Sequence, residues 1–358
     1  MPLLRVVDLA NDRVELSAAH RISRALDDEF RRSRLRGGEV LLSIQGTVGR
    51  VALSPPEAAG ANISRTLAVI EPDGRVDARF LRYFLMSYRQ HFKVGGTTRA
   101  SLNISDLRPV PVPVPPLDEQ HRIVAALEDH LSRLDAGATY LTASRTRAAS
   151  LALDTFADAL ASCGDTADVR LGDVARWGSG GTPRSRDPRY YANGTVPWVV
   201  SGDLRDAALR EVQGRITEAA VKESAAKWVP AGAVLVAMYG ATIGRTAITE
   251  FPVTTNQAVA HAVPTGRVNA SFLFWFLRSQ RRAFAAAGKG GAQPNISQTI
   301  LKAWSLPLPD LSRQAQLVDK SLQAEEAADR LRHAAVTASH RGGNLRRSLL
   351  QAAFSGCL

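Results

Sequence analysis

Residues 113–127 read PVPPLDEQHRIVAAL, and residues 306–322 read LPLPDLSRQAQLVDKSL. Each stretch changes character midway. Proline at nearly every second position excludes a helix interior and forces an extended strand. The residues that follow favour a helix, with Asp118 and Ser312 standing where an N-cap belongs. A chain that makes this switch twice holds two globules, each leaving along a proline strand into a helix.

Other echoes support a duplication. GGEVLLSIQGTVGR (37–50) matches AGAVLVAMYGATIGR (231–245), and VDARFLRYFLMS (76–87) matches VNASFLFWFLRS (268–279). Asn103-Ile104-Ser105 resembles Asn295-Ile296-Ser297, Gln120 and Val124 resemble Gln314 and Val318, and Cys163 resembles Cys357. One offset near 190 residues runs through all of them, too long for a solenoid period and suited to two copies of a domain plus its connector. Each copy opens with short apolar strands bounded by glycine. One helix, a glycine-rich loop and a short turn capped by Asn103 or Asn295 follow, so each globule is α+β. The expected order is a first domain over 1–116, a long helix over 117–165, a second domain over 166–308 and a second long helix over 309–358.

Val124, Leu127, Leu131, Leu134, Ala138 and Leu141 recur at spacings of three and four, a heptad seam. The second helix offers Leu317, Ala324, Leu331 and Ala338, with Ser321, Ala328 and Ala335 between them. A leucine stripe facing an alanine stripe predicts an antiparallel coiled coil acting as a spacer of about 65 Å at 1.5 Å per residue. Gly137 and Gly342-Gly343 are candidate interruptions.

The net charge is +11, and 39 of the 45 basic residues are arginine. Residues 1–165 carry 21 basic against 20 acidic groups, and residues 166–358 carry 24 against 14. Arginine forks match phosphates and guanine edges, so the excess points to nucleic acid. Two cysteines make no disulfide framework or metal cluster. No apolar run spans a membrane and no signal-peptide pattern opens the chain, so a cytoplasmic protein is expected.

GSGGTPRSRDPRYYANGTVPWVVSGDL (178–204), VPVPPLDEQHRIV (112–124), LPLPDLSRQAQLV (306–318) and LLQAAFSGCL (349–358) together resemble the specificity subunit of type I restriction–modification systems. The resemblance implies two target-recognition domains reading a bipartite double-stranded DNA target. It also implies two long helices that separate them and hold two methyltransferase subunits. Restriction subunits complete such a complex. S-adenosylmethionine, ATP and magnesium belong to those partners, leaving this chain without cofactor or catalysis. One departure stands out: nothing in the first copy matches residues 168–197, so either the true start codon lies upstream or the first domain is shortened, and a silent or truncated copy is the alternative.

Candidate DNA contacts follow from chemistry and position. In the second copy they are Thr182, Arg184, Arg186 and Arg189 in the glycine turn and basic segment, then Ser201, Arg205, Tyr239, Thr242, Arg245 and Lys289, and the amides Asn256 and Gln257, which suit adenine edges. In the first copy they are Gln45, Thr47, Arg50 and Asn62. DPRYY (187–191) only superficially resembles an amino-methyltransferase loop, since Arg189 replaces a proline. YGATIG and QGTVG lack the Gly-Lys-Ser/Thr of a phosphate loop.

Overall fold

A computed structural model describes residues 1–10, 12–96, 100–288 and 295–355. The chain forms two compact units, Met1–Ala143 with Ala335–Leu358, and Ser144–Ala334.

In the first unit the order is β1 (Pro2–Leu4), the small hairpin β2 (Leu9–Ala10) and β3 (Arg13–Val14), β4 (His20–Arg21), α1 (Arg24–Glu29), β5 (Val40–Ser43), β6 (Val51–Leu53), β7 (Asn62–Ile63), β8 (Leu67–Ile70), α2 (Ala78–Tyr88), α3 (Ile104–Leu107) and the first part of α4 (Leu117–Ala161). One sheet has the order β6-β5-β8, both neighbours antiparallel to β5. Val40, Leu41 and Leu42 are fully buried, as a central apolar run requires. A second sheet, β4-β1-β7, pairs β1 parallel to β7. The Asp77 carboxylate accepts the N–H groups of Arg79 and Phe80 and so starts α2. Leu81, Phe84 and Leu85 of α2 then pack on the first sheet's Val40 and Leu42.

The second unit repeats and enlarges this plan. It holds β9 (Ala167–Arg170), α5 (Leu171–Val174), β10 (Ala175–Ser179), β11 (Val196–Val199), β12 (Ala207–Leu209), β13 (Arg215–Ile216), α6 (Glu218–Glu223), β14 (Trp228–Val229), β15 (Val234–Ala237), β16 (Thr246–Thr249), β17 (Val253–Thr255), β18 (Val259–Pro264), α7 (Ala270–Ser279), α8 (Arg281–Ala287), α9 (Gln298–Ala303), β19 (Ser305–Leu308) and the first part of α10 (Leu311–Phe354). A five-stranded sheet runs β10-β18-β15-β16-β12 and a four-stranded sheet β13-β11-β17-β14. Strand β11 is parallel to β17, as β1 is to β7.

A buried glutamine ties each proline strand to its helix. Gln120 donates to the carbonyls of Arg75 and Pro115 and accepts the Asp77 N–H at 2.8 Å. Gln314 donates to Arg267 and Pro309 and accepts the Asn269 N–H at 2.8 Å. Both side chains are fully buried with their donors and acceptors satisfied by backbone. They fix the start of α4 to the N-cap of α2 and the start of α10 to the N-cap of α7.

Within the first unit, Leu127 and Leu131 of α4 cluster with Leu350 and Ala353 of α10, and Arg346 bonds Asp135 at 2.8 Å. Within the second, Arg332 reaches the Ala148 carbonyl, and Phe156 and Leu160 join Leu317 and Val318. In both, rising numbers on α4 meet falling numbers on α10, so the helices pack antiparallel.

Several expectations about these helices need correction. Leu331 is 53% exposed, and Ala138 is exposed too. On α10 the buried stripe is Leu317, Ser321, Ala328 and Ala335, because a seven-residue spacing fits two faces and the small residues take the inner one. Val124, Leu127 and Leu131 are buried, and Leu134 and Leu141 are half-buried. Neither Gly137 nor Gly342-Gly343 interrupts its helix; a helical glycine costs about 1 kcal/mol relative to alanine, which a long packed helix absorbs. The cap of α10 is Asp310, whose carboxylate accepts the Arg313 N–H, and not Ser312. Helix α4 begins at Leu117 directly after Pro116, with Asp118 inside its first turn. Ser297, not Asn295, caps α9. The N–H of Leu102 bonds the Ile44 carbonyl as that of Ile296 bonds Met238, which aligns Asn103 with Ser297 and shifts the local echo by two residues.

Candidate nucleic-acid interface

Parallel pairing of β11 and β17 decides where the polar loops of the second domain go. Both strands end on the same side, so the segment starting at Ser201 and the Asn256-Gln257 loop emerge together. The Asn256 N–H bonds the Val199 carbonyl at 3.0 Å. The glycine turn lies against this end: the Gly181 N–H donates to the Thr255 carbonyl at 3.0 Å, and the Trp198 indole N–H donates to the Gly181 carbonyl at 3.2 Å. A Cβ at Gly180 would stand 1.8 Å from the Thr255 oxygen, so only glycine lets the turn approach this closely. As a result the Thr182 hydroxyl donates to the Gln257 side-chain carbonyl, joining residues 75 apart in sequence.

Tyr239 arrives from β15. The neighbouring Met238 N–H bonds the Ala258 carbonyl at 2.8 Å, and Tyr239, 43% exposed, bridges to Asn295. The structure thus gathers Thr182, Ser201, Tyr239, Asn256 and Gln257 at one edge. Asn256 spends its Oδ1 on the Ala258 N–H, a local turn bond, whereas Gln257 and Thr182 are exposed. Thr242 turns its hydroxyl to the Tyr239 carbonyl.

The basic segment extends from this edge. Arg184 and Arg186 are exposed. Arg189 is bonded to Asp187 at 2.8 Å and lies 5.5 Å over the Tyr190 ring; its guanidinium holds the Asp187 carboxyl below the usual range. Arg205 is exposed beside edge strand β12, and Arg245 is half-buried in the turn before β16. Lys289 lies outside the described residues.

In the first domain the candidates divide. Thr47 is exposed and Gln45 is half-buried, bridging Ser101. Arg50 donates to the Val6 and Leu9 carbonyls at 3.1 and 2.9 Å, which ties it to the fold. Asn62 is 1% exposed and spends its amide on Asp27 and Ser33, so it has no surface to offer a ligand. Its place is that of buried Thr254. Ser64, whose N–H bonds the Leu4 carbonyl as Asn256 bonds Val199, and exposed Arg65 occupy the positions of Asn256 and Gln257. An offset of 192 residues, counted back from Asn256 and Gln257, would have pointed to both.

Among the described residues no His, Cys, Asp and Glu group suits a metal ion, and no helix is long and apolar enough to cross a membrane.

Comparison with known proteins agrees with this architecture. The family model described as the type I restriction modification DNA specificity domain matches residues 16–139 and 164–323. The EcoR124I/EcoR124II specificity subunit of Escherichia coli is 23% identical over 257 residues, covering 69% of this chain and 63% of that protein. The EcoBI specificity subunit of Escherichia coli is 32% identical over 139 residues, 37% of this chain and 29% of that one. The chain therefore spans less than two thirds of the length of these relatives. A structure concerning complex assembly and conformational transition of the type I R-M system superposes with TM-score 0.72 at 22% identity, over 91% of this chain and 83% of that one. The HsdS subunit of Thermoanaerobacter tengcongensis gives 0.59 at 22% identity, over 91% and 82%. With two matched regions laid over two like domains and their paired long helices, the chain belongs to the type I restriction–modification DNA specificity family.

Proposed function

We propose that this chain is a non-catalytic DNA-recognition subunit that reads a bipartite target and scaffolds two methyltransferase subunits and the restriction subunits of a type I complex. The observation that carries the reading is the convergence of three separate polar segments, around Thr182, Ser201 and Gln257, on one edge of the second domain beside Arg184 and Arg186. Exposed hydroxyl and amide groups suit base edges, while the arginines suit phosphates. Each domain would supply one half-site, with the long helices setting the interval. S-adenosylmethionine, ATP and magnesium would belong to the partners.

A second reading, a copy impaired in its first half-site, is favoured by one observation. In the first domain Asn62 is buried and Arg50 is bonded to the Val6 and Leu9 carbonyls, so two of its four candidate contacts are spent within the fold.

Mapping methylated bases in cells with and without the chain, its partners present, tests both. A two-part motif that depends on the chain supports the first reading; a motif defined on one side only supports the second; no dependence rejects both. Charge reversal of Arg184 and Arg186 should weaken DNA binding across sequences and reduce the log–log salt slope by about two. An unchanged slope would remove the two arginines from the phosphate contacts.

A further inference from the structure

The chain has five tryptophans, and four are spent within the fold. The indole N–H groups of Trp177 and Trp198 donate to the carbonyls of Leu171 and Gly181, and that of Trp304 reaches the Gln280 side chain at 3.4 Å. Trp275 is 2% exposed in the core. Trp228 is 47% exposed, and among the described residues its indole makes no hydrogen bond and its ring meets no other aromatic ring. A large amphipathic ring held in water is suited to a partner, since its apolar body and its N–H both gain by contact.

The backbone fixes where this indole stands. Strands β11 and β14 flank β17, and Trp198 and Trp228 both pair with Thr254. Residues in register on adjacent strands share a face, so Trp228 stands on the face where the glycine turn meets Trp198. A Cβ at Gly181 would lie 2.5 Å from that of Ala225, in the segment leading into β14. Lys227, one residue nearer the loop, is exposed, as are Arg184 and Arg186. Tyr239, 43% exposed, follows Met238, whose N–H bonds the Ala258 carbonyl. Along the edge the order is therefore Trp228, the Asn256-Gln257 loop and Tyr239. At the matching place in the first domain Arg34 bridges to Asn62, and its guanidinium is bonded to Asp27 and Asp28 at 2.5 Å.

We propose that Trp228 is a stacking plate for one nucleobase of the second half-site, which leaves its stack and lies against the indole while Thr182 and Gln257 meet neighbouring base edges. The inference rests on the DNA reading above and deepens it. Every base has an apolar face, so the plate adds affinity without reading a letter. Lys227, Arg184 and Arg186 supply positive charge for the phosphates around it. Faces inside a duplex are covered by their neighbours, so the contact forms only where a step is opened, as wedge side chains open it. Extrusion of a base for chemistry unpairs the base opposite and supplies such an opening. Because Arg34 is committed to two carboxylates, the plate belongs to the second domain alone.

The probe is a set of duplexes carrying the motif found by methylation mapping, with the base removed at one position at a time. They are titrated with the full chain assembled with its methyltransferase subunits. Trp228→Ala and Trp228→Thr, the second suited to a strand, should each weaken binding to the intact duplex about tenfold and leave the salt slope unchanged. Trp228→Phe should keep most of the affinity. At one position of the second half-site, base removal should cost the wild-type complex about tenfold and cost the Trp228→Ala complex nothing further. At every other position the two losses should add. Wild-type affinity in both truncated variants, additive losses at every position, or a coupled position in the first half-site would overturn the stacking role while the DNA reading stands. Loss of the methyltransferase subunits from the Trp228→Ala chain would also overturn it and give the indole to a protein partner. A wild-type complex that binds no duplex rejects the DNA reading itself, and the plate falls with it.

Discussion

In the second domain β18 has a partner strand on each side and α6 lies beneath Tyr190; in the first, β8 has one partner among the described residues, and Leu26 of α1 and Phe30 just after it face outward. The parts common to both are the parallel strand pair, the central antiparallel strands, the capped helix and the glutamine at the start of the long helix. In the second domain the strands β9 and β10 close the sheet and the glycine turn brings Thr182 to the polar edge.

The largest expected effect lies where α4 enters the second domain. Phe156 is fully buried, 5.6 Å from Phe272 and 6.1 Å from Trp275 between ring centroids. Phe156→Ala should destabilise that domain by about 3–5 kcal/mol. The matching excision in the first unit, Leu350→Ala, should cost about 3 kcal/mol and leave the second domain's exchange rates unchanged. Urea titration with hydrogen exchange resolved by domain measures both, and equal effects on both domains would show that they do not fail separately.

The glutamines test what the copies share. Gln314→Leu and Gln120→Leu each strand a buried N–H and two carbonyls, and each should cost about 1–3 kcal/mol. Closely matched losses support a common clasp. A loss confined to Gln314 would make the first domain's clasp dispensable.

Acid separates the domains next. Burial, and secondarily Lys227, hold the His261 imidazole below its usual pKa. Above about 6.5 both folded and unfolded states are neutral there; below it the unfolded chain takes up the proton first, so the second domain loses stability as pH falls from that point. In the first domain Arg34 holds the Asp27 carboxyl low, which stabilises the fold above about 3.9 and is lost as pH falls through the depressed folded value. The second domain should thus soften between about pH 7 and about pH 5 while the first does not, and His261→Gln should flatten that slope. Urea midpoints across this range decide it.

The smallest expected effect is Leu331→Ala, within about 0.5 kcal/mol because the side chain is exposed, against about 2–5 kcal/mol for buried Leu317→Ala. Thermal melts of the two variants locate the inner face of α10. A large loss at Leu331 would return it to the seam.

The duplication, the strand-to-helix switch and the α+β class were legible because they rest on local pattern and on one offset repeated along the chain. The inner face of α10 was not, since Leu317 and Leu331 share a heptad position and only contacts distinguish them. Asn62 was a candidate contact by residue type alone; pairing of β7 with β1 buries it, and exposed Arg65 stands in the place of Gln257. The meeting of Thr182 with Gln257 depends on the parallel pairing of two strands far apart in sequence, which no local signal carries. Gln120 and Gln314 were visible as an echo, yet their burial was not, because a glutamine in a helix's first turn usually faces water.

The polar edge of the second domain hangs on main-chain bonds: Gly181 to Thr255, Asn256 to Val199, Met238 to Ala258. Those bonds are indifferent to the side chains at positions 182, 201 and 257. The lettering at that edge can therefore be rewritten residue by residue while the page beneath it keeps its shape, and on the proposed DNA reading new specificities need not await new folds.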